Sequence, residues 1–131
     1  MDMRVRFPGG KRVDAELGDF VIRTDQSRKS GGQGSAPEPF AYCLAALGTC
    51  AGIYVLSYLQ ARDLPTEGVE IVQRFERAPG RDAMARVGMK IVLPPTIDPK
   101  HHKPIIRSAE QCAVKKLIEQ KPEFTIEVQT E

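Results

Sequence analysis

"PFAYCLAALGTCAGIYVLSYLQA" (residues 39–61) runs for 23 residues without a charged side chain and holds two of the three cysteines, Cys43 and Cys50. As a helix such a run is long enough to cross a bilayer. Its composition argues otherwise: Ala, Gly, Thr, Ser, Tyr and Gln dilute its hydropathy, and the flanking segments read as amphipathic sheet made for water. A helix that is apolar on all sides and stays out of the membrane is a buried helix. At 1.5 Å per residue it is about 35 Å long, more than one small chain readily surrounds. A second subunit is therefore expected to help cover it. Gly48 and Gly52, four apart on one face, are expected to let another backbone approach closely.

Outward from this run, the N-terminal side alternates apolar and polar residues. "MRVRF" (3–7), "RVDAEL" (12–17) and "FVIRTD" (20–25), separated by "PGG" and "GD", predict three antiparallel strands. "QSRKSGGQGSAPEP" is a loop rich in Gly, Ser and Pro. On the C-terminal side, "VEIVQRFERA" (69–78) and "ARVGMKIVL" (85–93) predict two strands around the turn "PGRD". Residues 98–120 predict a second helix, with Asp98 as N-cap, Pro99 at the first helical position and Pro104 marking the start of the regular part. "FTIEVQT" (124–130) predicts a closing strand. The order βββ-α-ββ-α-β segregates strands and helices, which is α+β, in a single domain over residues 1–131.

Charge and cysteine usage exclude several classes. Nineteen basic against seventeen acidic residues leave a net charge of +2, too balanced to announce a nucleic-acid partner, and no GxxG loop lies between two helices. "MDMRVRFPGG" has no apolar segment after its basic residues, so no secretory signal is expected. Three cysteines without a CxxC suggest neither a disulfide framework nor a zinc site, and reduced thiols in the cytoplasm are the expectation. No metal and no bound cofactor are expected.

On a helix, Cys50 lies about 200° from Gly48 and shares its face with Cys43, Ala46, Ile53 and Ser57. Cys43 is about 10.5 Å away along the axis, too far for a disulfide, so any intrachain partner of Cys50 is Cys112. Cys112 is expected on the core side of its own helix, three residues after Ala109 and seven after Ile105. Spacing alone reads both thiols as small buried hydrophobes. Cys50 sits mid-helix, out of reach of its own helix dipole, so reactivity is expected to require a nearby cation.

"GGQGSAPEPFAYCLAALGTCAG" and, 62 residues after Cys50, "AEQCAVKKL" together resemble the conserved core of the OsmC/Ohr superfamily. The resemblance runs from about Phe7 to Val128. It implies an intertwined homodimer in which two long central helices are wrapped by antiparallel sheets of both chains. It also implies reduction of organic hydroperoxides by a cysteine pair, Cys50 attacking and Cys112 resolving, regenerated by an external thiol or dithiol. The family arginine corresponds to Arg12 in "GGKRV", with Lys11 as the other candidate. The Ohr glutamate ten residues before the first cysteine corresponds to Phe40, with Glu38 nearby. That departure keeps an alternative in view: an OsmC-fold protein that binds a small apolar ligand or partner. "HHK" (101–103) reads as a solvated helix start, and "SRKSGGQG" as a strand-to-helix loop rather than a phosphate cradle.

Overall fold

The computed structural model describes residues 1–77, 79, 80 and 84–130. The chain forms two compact units, residues 1–45 and 46–131.

In the first unit, β1 (Arg4–Gly9), β2 (Arg12–Leu17) and β3 (Phe20–Thr24) form an antiparallel sheet in the order β1-β2-β3. Register places Ala15 between Val5 and Ile22, so the alternating apolar residues share one face. The opposite face carries Arg4 and Arg6 across from Glu16 and Asp14, with an Arg6–Glu16 ion pair at 3.4 Å. The "PGG" turn and the "GD" turn stand where the sequence puts them. Gly10 and Gly18 take φ of +60° and +57°, which favours glycine. Pro8 lies in the edge strand, where the register shifts between Arg6 and Gly9.

The helix α1 (Pro39–Ala61) begins in this unit, where the Tyr42 hydroxyl donates to the Arg23 carbonyl at 2.6 Å. It continues into the second unit with the bounds read from the uncharged run. Leu47, Ala51, Val55 and Leu59, spaced by four, are its buried stripe. Val55 and Leu59 pack with Ile97 and Ile105 in the core, ringed by residues such as Tyr58, Leu64, Ile71 and Leu93. One flank of α1 stays exposed, with Ile53 54 % exposed. By length and composition alone the helix would also pass as a membrane span.

The strands β4 (Glu70–Arg77) and β5 (Met84–Val92) form an antiparallel pair. The turn expected between them at 79–82 lies partly outside the described residues. Three expectations are corrected in this unit. Gly48 and Gly52 do not await another backbone, because they face the chain's own β4. A Cβ on Gly48 would sit 2.1 Å from Gln73 Nε2, and one on Gly52 would sit 3.8 Å from Ile71 Cδ1. Second, the helix expected over 98–120 is broken. A 3₁₀ turn at Pro99–His101, capped by Asp98 accepting from the Lys100 N–H at 2.9 Å, leads into α2 (His102–Ala109). Residues 110–112 form a tight turn, and α3 (Ala113–Glu119) follows. The helical apolar spacing continues through the break and hides it. What ends α2 is Cys112, buried and held at φ −47°, ψ 118°, a conformation no helix continues through.

Third, residues 124–130 do not form the closing strand. Phe124 and Ile126 are 84 % and 97 % exposed, and among the described residues no strand pairs with this segment, as a strand requires.

Candidate active site

Cys50 and Cys112 come together within the second unit. α1 sets Cys50 beside its buried stripe, where it is half-buried, and Cys112 is 1 % exposed. All three cysteines are free thiols. The Cys112 sulfur accepts from the Lys115 N–H at 3.4 Å and so caps α3, and its S–H lies 3.7 Å from the Leu47 carbonyl on α1. The Cys112 side chain is also among the groups that lower the Cys50 pKa. A thiol has one proton to give, so ionisation of Cys50 is expected to draw that proton from Leu47 toward its sulfur.

Groups of the second unit act on the Cys50 thiol. Its pKa is lowered first by the backbone N–H of Val114, against burial, which raises it, and then by the Cys112 side chain and the N–H of Ala113. Both residues belong to the first turn of α3. This arrangement exists only because the helix breaks at 110–112.

Arg12 lies on β2 in the first unit, half-exposed, with Nη2 3.2 Å from Asp14 Oδ2. The groups that shift Cys50 all belong to the second unit. Lys11 lies near the glycine-rich loop, its Cε 3.8 Å from where a Cβ on Gly31 would stand. Phe40, at the position of the Ohr glutamate, is exposed, and Glu38 accepts from the Ser27 N–H at 3.0 Å. Cys43 is exposed within this chain.

A pocket of about 770 Å³ opens beside the pair. Leu47, Val87, Met89, Ile105 and Ile118 make it apolar, Cys112 contributes to its wall, and Lys115 and Glu119, an ion pair at 3.1 Å, are among its few charged groups. The two histidines separate: His102 joins the pocket lining, whereas His101 Nδ1 meets the Tyr58 hydroxyl at 2.8 Å, under the Arg62 guanidinium stacked 3.7 Å from the Tyr58 ring. His101 is thus packed rather than solvated. Among the described residues no cluster of His, Cys, Asp or Glu suits a metal ion.

Sequence reasoning missed Asp25. Its carboxylate is 1 % exposed and accepts from the Gln26 N–H at 2.7 Å, the Ser35 N–H at 3.0 Å and the Ser35 hydroxyl at 2.6 Å. The Ser35 bonds and the Gln26 N–H hold its pKa down at about 2. An aspartate closing a strand ahead of a Gly/Ser loop was the available signal. It organises the glycine-rich loop, in which Gly32 lies so close that a Cβ would fall 2.1 Å from the Gln26 carbonyl oxygen.

No curated protein matches the chain. Solved structures match across most of its length. An osmotic-stress-induced and detoxification response protein from Psychrobacter arcticus is 22% identical, with a TM-score of 0.68 over 87% of this chain and 85% of its own. An OsmC-like protein from Mycoplasma pneumoniae is 13% identical, with a TM-score of 0.70 over 92% and 87%. The organic hydroperoxide resistance protein OsmC of Legionella pneumophila is 16% identical, with a TM-score of 0.54 over 90% and 89%. At these identities the likeness is one of fold. The family model described as OsmC-like protein matches residues 32–127, a span that takes in the glycine-rich loop, both site cysteines and most of the second unit. The chain therefore belongs to the OsmC-like family.

Proposed function

We propose that this chain is a thiol-dependent peroxidase that reduces organic hydroperoxides through Cys50 and Cys112, in defence against peroxide stress. The observation that carries the reading is a free, half-buried Cys50 thiol whose pKa is lowered by the start of α3 and by Cys112, with Cys112 itself in the wall of an apolar pocket. The Cys50 thiolate attacks the distal peroxide oxygen, the O–O bond breaks, and the alkoxide leaves with a proton as alcohol. Cys50 is then a sulfenic acid. The Cys112 sulfur attacks it, a disulfide forms and water leaves. An external thiol or dithiol reduces the disulfide and is itself oxidised. Arg12 belongs to the proposed site through the family position of its guanidinium, as the cation that assists the thiolate. Reduced thiols suit a cytoplasmic location.

The proposed assembly is a homodimer built from one OsmC-like domain per chain. Two features support it: the uncovered flank of α1, and the tail at 124–130, which keeps strand alternation without an edge to pair with. Light scattering should return about twice 14.5 kDa; a well-folded monomer at micromolar concentration would refute the assembly.

Consumption of cumene hydroperoxide with a dithiol reductant tests the chemistry. Mass spectrometry after peroxide treatment should find a Cys50–Cys112 disulfide. If it finds neither that nor an oxidised Cys50, the peroxidase reading falls. A second reading then leads: an OsmC-fold binder of apolar ligands, favoured by the pocket and by Phe40 at the Ohr glutamate position.

A further inference from the structure

We infer that the apolar pocket of the second unit binds uncharged molecules with a hydrocarbon chain, and that Glu119 makes it reject acids of the same chain length by engaging the Lys115 ammonium that an acid head group would need. The inference deepens the proposed function and rests on the reading of this pocket as the place where the apolar part of a substrate lies.

The pocket measures about 770 Å³, within the range of small-molecule sites. Ala51 of α1, Ile105 of α2 and Cys112 are buried lining residues, whereas Met89 of β5 and Ile118 of α3 are exposed ones. The buried lining offers nothing to a charge. The Cys112 sulfur, the polar side-chain atom among those three residues, already accepts from the Lys115 N–H at 3.4 Å, and its S–H lies 3.7 Å from the Leu47 carbonyl. A carboxylate placed there would lose its water with no donor in exchange. The charged lining groups Glu110, Lys115 and Glu119 are exposed, as is His102. Two carboxylates thus stand against one ammonium, and that ammonium is 3.1 Å from Glu119 Oε1. An exposed pair of this kind adds little to stability. Its effect here is on selection. An acid whose chain enters the pocket meets an excess of carboxylate at the rim and a lysine already engaged, whereas an alcohol, an ester or an alkyl hydroperoxide meets neither penalty.

Octan-1-ol and octanoate share a chain and differ in charge, and neither reacts with thiols. Each is titrated into the full, reduced chain at mildly alkaline pH while the methyl groups of Met89 and Ile118 are followed by NMR, with Ile22 on β3 as the control outside the pocket. Octan-1-ol should shift both pocket methyls saturably and leave Ile22 still, and octanoate should bind at least about tenfold more weakly. Glu119→Gln, an exposed substitution that removes one rim charge and frees Lys115, should strengthen octanoate about threefold to fivefold and leave octan-1-ol within about twofold. Equal affinity of the two probes in the parent chain would overturn the inference, as would an unchanged octanoate affinity in Glu119→Gln or the absence of a saturable octan-1-ol shift. So would pocket-methyl shifts that appear on raising the protein concentration alone, which would assign the pocket to a second copy of the chain. These inert probes are read without peroxide, so their binding stands or falls separately from the thiol chemistry.

Discussion

Asp25 and Cys50 are held by the same physics in different ways. Each is a group whose anion is favoured by backbone N–H donors, one at the mouth of the glycine-rich loop and one against the start of α3. The donors of Asp25 lie within ten residues of it, and Ser35 supplies two of them. The donors of Cys50 lie more than sixty residues away. Asp25 serves architecture: it closes a loop that a few residues can define. Cys50 is the proposed reacting thiol, and the groups that lower its pKa lie on a segment that only the tertiary fold brings to it. Cys50 is also only half-buried, whereas Asp25 is sealed. A satisfied, sealed anion is structural, and an exposed one with donors already in place is available to react.

The largest effect expected on this contrast is at Cys50. Cys50→Ser should abolish hydroperoxide consumption while circular dichroism and oligomeric mass stay unchanged. Residual turnover above the rate without protein would remove Cys50 from the proposed site. Cys112→Ser should react once and leave a sulfenic acid that a dimedone probe traps.

On the structural side, Gly32→Ala forces a methyl into the Gln26 carbonyl, a backbone atom that cannot swing aside. Denaturant unfolding should show a loss of about 1–3 kcal/mol. Gly48→Ala should cost less, because the atom it meets is the end of the flexible Gln73 side chain. Equal losses at the two sites would show that the loop is not the stiffer region.

Acid sharpens the contrast further. The folded Asp25 pKa, about 2, lies below its ordinary value of 3.8. Its contribution is therefore fully present above about pH 4 and is lost as pH falls toward 2. Thermal unfolding followed from pH 5 to pH 2 should decline across that window, and Asp25→Asn should flatten the decline. An unchanged acid limb in that variant would mean other carboxylates carry it. The smallest effect is expected at Cys43: Cys43→Ala should leave turnover within about twofold of the parent, since an exposed thiol two turns from Cys50 has no part in the pair.

Periodicity disclosed a great deal. The strands β1 to β5 and the bounds of α1 follow from alternation, from Gly/Pro punctuation and from the absence of charge over residues 39–61. These are local properties, encoded within a few residues of where they act. Cys50 and Cys112 were singled out by their flanking residues and the resemblance of these to a family. The break at 110–112 was not legible, because Ile105, Ala109 and Cys112 keep helical spacing across it and a buried residue at a cap looks, in sequence, like one on a core stripe. The closing strand failed for the complementary reason: Phe124, Ile126 and Val128 alternate correctly, yet alternation supplies faces and not a hydrogen-bonding edge. The glycines of α1 showed that something approaches, not that it is Gln73 of the same chain. The amino-acid sequence by itself determined which segments can be helix or strand and which thiols stand on apolar faces. Tertiary structure alone decided that α3 begins where it does and that Cys112 is buried against the Leu47 carbonyl, because a contact between residues 47 and 112 depends on where two helices meet and on no pattern within either.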